Sequence, residues 1–384
     1  MGLQHWLALS LTDGIGPILG RRLIETAGSI EAAVAAREPL LRQVEGIGTA
    51  KAGCIAASLA AAPEAAKREI ERATAVGATI LCPDDDTYPP LLRSIPDPPL
   101  VLYVRGTLEP RDLHAIAIVG SRRCSFYGRE QSERFGALLA GAGLTVVSGG
   151  ARGVDSAVHR GAISHPQGRT IAVLGSGINV AYPPENHALF DQIAAGRGAV
   201  LSEFPIDAPP SAENFPRRNR IVSGISRGVL VIEADLKSGA LITARNAADD
   251  HGRPVFALPG RVDNALAAGP HMLIRDGAIL VTGIEDVLSE LGPLPHELTQ
   301  APAKPAAEPD LFAPAPAPPP QSPLKLSEAQ NAILNALDTD PLTVDQIIDR
   351  SSQPAAVVMR ELTFLTLRGL VRRADGQAFI RAAH

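Results

Sequence analysis

The chain has 384 residues, 45% of them hydrophobic and 20% charged, with a formal net charge of −5 at pH 7. That balance supports two or three domains with sizeable cores and excludes global disorder. It also excludes a general attraction for polyanions, so any nucleic-acid binding must rest on a local basic patch.

In chain order, residues 1–82 are Ala-rich and read as short helices. Two glycine turns, Gly14-Ile15-Gly16-Pro17 and Gly46-Ile47-Gly48, each precede a helical pattern. They suggest a helix-hairpin-helix or SAM-like module, whose turn N–H groups can meet a phosphate. A plain helical bundle with glycine C-caps is the alternative. Residues 83–106 form a Pro-rich bridge. Seven apolar runs then alternate with helical patterns: Ala115–Val119, Leu144–Ser148, Thr170–Leu174, Ala199–Ser202, Val229–Glu233, Val255–Leu258 and Ile279–Val281. Short apolar strands between amphipathic helices predict a doubly wound, mostly parallel α/β sheet over 83–291. Residues 292–324, with Pro316 and Pro318-Pro319-Pro320 at the centre, read as a semi-rigid linker. In 325–384, helices are expected from Ser327, near Thr343 and from Pro354 to Gly369. A hairpin from Leu370-Val371 to Phe379-Ile380 completes a winged-helix pattern.

In a doubly wound sheet, ligands sit at the carboxyl ends of the strands. The loops there are Gly120-Ser121-Arg122-Arg123, then Ser148-Gly149-Gly150-Ala151-Arg152-Gly153-Val154-Asp155, Gly175-Ser176-Gly177 and Lys237-Ser238-Gly239. Glycines let backbone N–H groups approach an anion, helix N-termini add positive potential, and Arg122, Arg152 and Lys237 supply countercharge. Four such loops at one end of a sheet predict a phosphate-binding crevice. The segment Phe215-Pro216-Arg217-Arg218-Asn219-Arg220 follows the fourth run and adds cations, with Phe215 as a stacking platform. The dinucleotide fingerprint and the Walker motif are both absent, so no nucleotide cofactor is expected. Asp155 and His159, four apart, could stage acid–base chemistry, but a carboxylate in a first helical turn needs no catalytic role. Catalysis is not expected.

No segment approaches the roughly 18 consecutive apolar residues of a membrane span. The first Lys or Arg is Arg21, so the start lacks a secretory signal's charge, and a cytoplasmic location is expected. Cys54, Cys82 and Cys124 are widely separated, which argues against a zinc site or disulfides.

These loops closely resemble the DprA/Smf (DNA-processing protein A) family. The matching residues include Ile118-Val119-Gly120-Ser121-Arg122, Val147 through Asp155 with His159, Gly168 through Gly177, Tyr182-Pro183, Ser202-Glu203, Phe215 through Ile221, Lys237 through Ala244 and Leu258-Pro259-Gly260. The resemblance covers roughly residues 85–282. It implies an extended Rossmann-like sheet without a cofactor, single-stranded-DNA binding, dimerisation and loading of RecA recombinase during natural transformation. Single-strand-binding protein is a further expected partner. By resemblance, Arg122 and Lys237 are DNA contacts. Two departures stand out. Gly149-Gly150 replaces Gly-Leu, and the helix after Tyr182-Pro183 begins Glu185-Asn186-His187, where the family has a basic residue.

Two other readings compete. A nucleotide phosphoribohydrolase shares this sheet type, but its catalytic glutamate is missing around Lys237-Ser238-Gly239. A duplex-binding winged-helix regulator would need a cationic recognition helix, and 354–369 carries only Arg360 and Arg368 around Glu361, Leu362, Phe364 and Leu365.

Overall fold

Along Ala115–Val119 every side chain is buried. Ala115, Ala117 and Val119 join one apolar layer, while Ile116 and Ile118 join the other. A period of two with both faces covered is what a strand inside a parallel sheet requires. A computed structural model describes residues 2–292 and, in parts, 328–381. The chain divides into two compact units, Met1–Lys304 and Pro305–His384.

The strands of the first unit are β1 (Ala78–Leu81), β2 (Leu102–Gly106), β3 (Ala115–Val119), β4 (Thr145–Ser148), β5 (Arg169–Val173), β6 (Gly198–Ser202), β7 (Val229–Val231), β8 (Val255–Ala257) and β9 (Ile279–Leu280). They form a nine-stranded sheet in the order β1-β2-β6-β5-β4-β3-β7-β8-β9. Strands β3 to β9 are the seven expected runs, and they pair in parallel. The extended, mostly parallel Rossmann-like architecture is therefore the fold observed. Strands β1 and β2 are antiparallel additions at one edge. β1 lies in the stretch read as helical, and β2 lies in the Pro-rich bridge.

The first five helices are α1 (Gly2–Ser10), α2 (Pro17–Ala27), α3 (Ile30–Val34), α4 (Glu38–Leu41) and α5 (Thr49–Ala75). Gly16 and Gly48 stand at the N-cap positions of α2 and α5, not at the C-caps of the bundle alternative. α5 continues for 27 residues through Pro63, so the short-helix expectation fails there. These helices share a core with the sheet. The Tyr103 hydroxyl donates to Glu69 Oε1 at 2.9 Å, and the Ile206 N–H donates to the same oxygen at 2.6 Å.

The later helices are α6 (Pro90–Arg93), α7 (Phe126–Gly141), α8 (Val154–Ser164), α9 (His187–Gln192), α10 (Asn214–Gly224), α11 (Ala240–Arg245), α12 (Ala268–Arg275) and α13 (Ile284–Leu291). Apolar residues of α7, α8 and α13 cover one face of the sheet, and those of α10, α11 and α12 cover the other. From β3 the chain builds outward through β4, β5 and β6, then returns to lay β7 on the other flank of β3. The β3/β7 boundary is the topological switch point, where the diverging loops leave room for a ligand.

In the second unit, helices Glu328–Ala336 and Val344–Ser351 accompany a three-stranded sheet of β10 (Leu342–Thr343), β11 (Val371–Arg373) and β12 (Ala378–Arg381). Ile333, Leu337, Ile347, Leu362 and Val371 bury together as its core. Thr343 Oγ1 accepts from the Gln346 N–H at 3.4 Å, the expected cap. The unit is a winged helix. The expectations at Ser327, Pro316, Pro318–Pro320, Arg360, Phe364, Arg368 and Gly369 lie outside the described residues. No helix among the described residues is long and apolar enough to cross a membrane.

Candidate nucleic-acid interface

A crevice of about 910 Å³ opens at the switch point. Its walls come from the β3 loop (Gly120, Ser121, Arg122), the β4 loop (Gly149, Ala151), the β7 loop (Ser238, Gly239) and Phe215 and Asn219 beside them. The loops brace one another through their backbones. The Ser121 N–H donates to the Glu233 carbonyl at 2.6 Å, and the Val154 N–H donates to the Ser121 carbonyl at 3.2 Å. Gly153 lets the β3 and β4 loops touch: its φ is +74°, and a Cβ there would overlap the Ser121 carbonyl oxygen. Buried Glu233 accepts from the Ser125 N–H at 2.8 Å and from Ser125 Oγ at 2.7 Å, clasping the start of α7.

Cations and aromatic rings form a continuous row. The Arg122 guanidinium stands 4.6 Å over the Phe215 ring, Phe215 and Tyr182 have centroids 5.9 Å apart, and Arg152 lies 5.8 Å over Tyr182. Arg122 is exposed and pairs with no carboxylate among the described residues. Asn219 Nδ2 donates to the Gly239 carbonyl at 3.1 Å and ties α10 to the β7 loop. Lys237 is exposed in that loop but does not line the crevice. The arrangement can hold a polyanion by guanidinium and backbone contacts and can stack unpaired bases.

Several expected contacts are internal instead. Ser148 is fully buried and its Oγ donates to the Ile118 carbonyl at 2.7 Å, because a hydroxyl inside a sheet must find a local acceptor. The third loop is closed off. Gly175 abuts Phe215, Gly177 abuts the Pro205 and Ile206 carbonyls, and Ser176 is buried. Gly149 abuts Arg218 and Asp155, while Gly150 faces Phe190. Arg218 lines the crevice but is almost wholly buried, and it donates to the Gly149 and Val173 carbonyls, so it chiefly ties strand ends together. Arg220 is also buried, paired with Glu203 and, at 3.0 Å, with Asp97. Arg217 is exposed beyond the lining, 5.4 Å over Phe204. Arg152 is held by Glu185, with one bond at 3.1 Å, so its charge is already answered.

Asp155 and His159, which share a helix face, turn to different partners. Asp155 accepts from the Ala151 N–H at 3.2 Å, whereas His159 Nδ1 meets Thr170 Oγ1 at 2.7 Å. Burial lowers the His159 pKa to about 3, so the ring is neutral. Burial also raises the Asp155 carboxyl, against the pull of Arg218, and lowers Arg218 to about 10. Glu203 is raised by burial too, although Arg220 and Arg217 oppose the shift. Among the described residues no group of three ligating side chains could hold a metal ion.

The sequence model of the family described as DNA recombination-mediator protein A matches residues 79–292, and that of the DprA winged helix domain matches residues 315–377. The chain belongs to the DNA recombination-mediator protein A family. It is 41% identical over 293 residues to Protein Smf of Escherichia coli (strain K12), covering 76% of this chain and 75% of that one. It is 36% identical to Protein Smf of Synechocystis sp., covering 98% of each chain. It is similar to the X-ray structure of DNA processing protein A from Streptococcus pneumoniae, with TM-score 0.64 and 32% identity over 76% of this chain and 97% of that one.

Against that family background, the site residues missed in the sequence become legible. Tyr182 entered only as part of a matching dipeptide, yet it extends the aromatic row. Residues Pro210 and Ser211, from the loop after β6, also line the crevice. The available signal was composition. Only 4% of the chain is aromatic, so a Tyr and a Phe beside glycine-rich strand ends are costly choices for a packing role alone.

Proposed function

We propose that the chain binds single-stranded DNA in the switch-point crevice and passes it to the RecA recombinase in transformation and recombination. One observation carries the reading: Arg122, a guanidinium with no carboxylate partner among the described residues, stacked on Phe215 in a crevice walled by glycine loops. A phosphate meets Arg122 and nearby backbone N–H groups, while an unstacked base meets Phe215 or Tyr182. A duplex hides its base faces, so single strands bind better, and no base edge is read. The family's description as a recombination mediator supports a role in DNA processing. Lys237, exposed at the end of the β7 loop, is the second proposed phosphate contact. Homodimerisation and contact with RecA follow from the family resemblance. Exposed Phe126, at the start of α7, and Leu236 and Val262, in the loops after β7 and β8, suit protein contact.

Gel shifts with single-stranded and duplex DNA test the binding. Preference for single strands of any sequence is expected; equal or tighter duplex binding rejects the reading. RecA's DNA-dependent ATP hydrolysis on strands coated by single-strand-binding protein tests the handover. Acceleration by this protein is expected, and none across a range of stoichiometries rejects the loader role alone.

A further inference from the structure

A second cavity, of about 310 Å³, lies where β5 and β6 begin, at the opposite end of the sheet from the crevice. Its lining includes Glu109, Arg111, Arg169 and Arg197, and Pro166 is its only apolar side chain. It therefore offers charge but no platform for a base.

Arg169 is fully engaged. It donates to Asp112 at 2.6 and 2.8 Å, to Glu109 at 3.0 Å and to the Thr107 carbonyl. Arg111 and Arg197 have no carboxylate partner among the described residues, and both hang from one turn. Arg111 Nη2 donates to the Gln167 carbonyl at 3.1 Å; Arg197 Nη1 donates to the His165 carbonyl at 3.2 Å and to that of Pro166. Arg111 Nε is buried with no acceptor. Arg197 is set in place by the glycine after it: Gly198 has φ +148°, and a Cβ there would overlap the Thr170 carbonyl. Two like charges fixed on consecutive carbonyls and facing one pocket repel. An oxyanion between them would answer both.

We infer that this pocket is a second phosphate site, taking one phosphate group between Arg111 and Arg197, separate from the crevice. Phosphorus NMR of the full chain titrated with inorganic phosphate tests it. Binding should survive Arg122→Ala and weaken at least tenfold in Arg111→Gln and in Arg197→Gln. Absence of binding to the parent protein, or unchanged affinity in the double variant, overturns the inference. Arg197 also braces a turn, so melting curves accompany each variant, and Arg111→Lys retains charge while removing the Nε donor. A loss in Arg111→Lys with unchanged melting supports the site. Oligothymidylates separate the sources. If the double variant weakens binding of a long strand but not of a short one, the phosphate is that of DNA. If neither changes while phosphate binding is lost, the ligand is a free phosphate or phosphomonoester.

Discussion

Replacing Arg122 with alanine probes the crevice directly, because the structure separates its effect on binding from its effect on folding. The side chain is exposed and its described contact is the Phe215 ring at 4.6 Å. Losing an exposed cation–π contact costs about 0.5–1 kcal/mol of stability, so the variant folds. A hydrogen bond from a guanidinium to phosphate is worth roughly 1.5–3 kcal/mol. At about 1.4 kcal/mol per tenfold, that is roughly a 10- to 150-fold weaker Kd. One lost phosphate contact also flattens the salt dependence, by about 0.7 in the slope of log K against log salt for a single strand. Fluorescence anisotropy with a labelled oligothymidylate, repeated over a salt series, reads both quantities. An unchanged Kd and an unchanged slope in a folded variant would refute the placement of DNA in this crevice.

Arg218→Ala should instead destabilise the fold by about 3 kcal/mol or more, since two buried carbonyls lose a charged donor; urea unfolding reads it, and a fully stable variant contradicts the bracing role. Glu185→Gln should release Arg152 from its carboxylate, tightening single-strand binding and steepening the salt slope. Unchanged binding would mean that Arg152 cannot reach the strand. His159, with a folded pKa of about 3, makes the unfolded state bind more protons between about pH 3 and its ordinary value near 6.5. The sign of its contribution is therefore a loss of stability as pH falls through that window. Asp155 and Glu203, raised by burial, contribute oppositely as their unfolded carboxyls titrate. Urea melts against pH should show a slope smaller by one proton in His159→Asn than in the parent, and identical slopes would reject a buried neutral ring.

The seven apolar runs were legible because a strand covered on both faces is apolar at every position, as Ala115–Val119 shows. The edge strands were not. Ala78–Leu81 alternates buried and exposed residues over four positions, too few to separate from the helix before it. The glycine loops were legible too, since backbone that must approach backbone cannot carry a Cβ, and the β3 and β4 loops meet at Gly153 in this way.

The sequence alone determined that cations and glycines gather at one end of a parallel sheet. Which cations face outward was decided by tertiary structure. Arg217, Arg218 and Arg220 are near neighbours on α10, but a helix turns about 100° per residue, so buried Arg218 points to the strand ends while Arg217 and Arg220 share the side facing Glu203, Arg220 buried against it and Arg217 exposed at 3.9 Å from it. Arg152 met a carboxylate 33 residues away that no local pattern announces. Ser148 and Ser176, polar and beside glycine, were drawn inward by the sheet. Residue type and spacing place charge near a site. Whether that charge is free depends on partners that only the folded chain brings within reach.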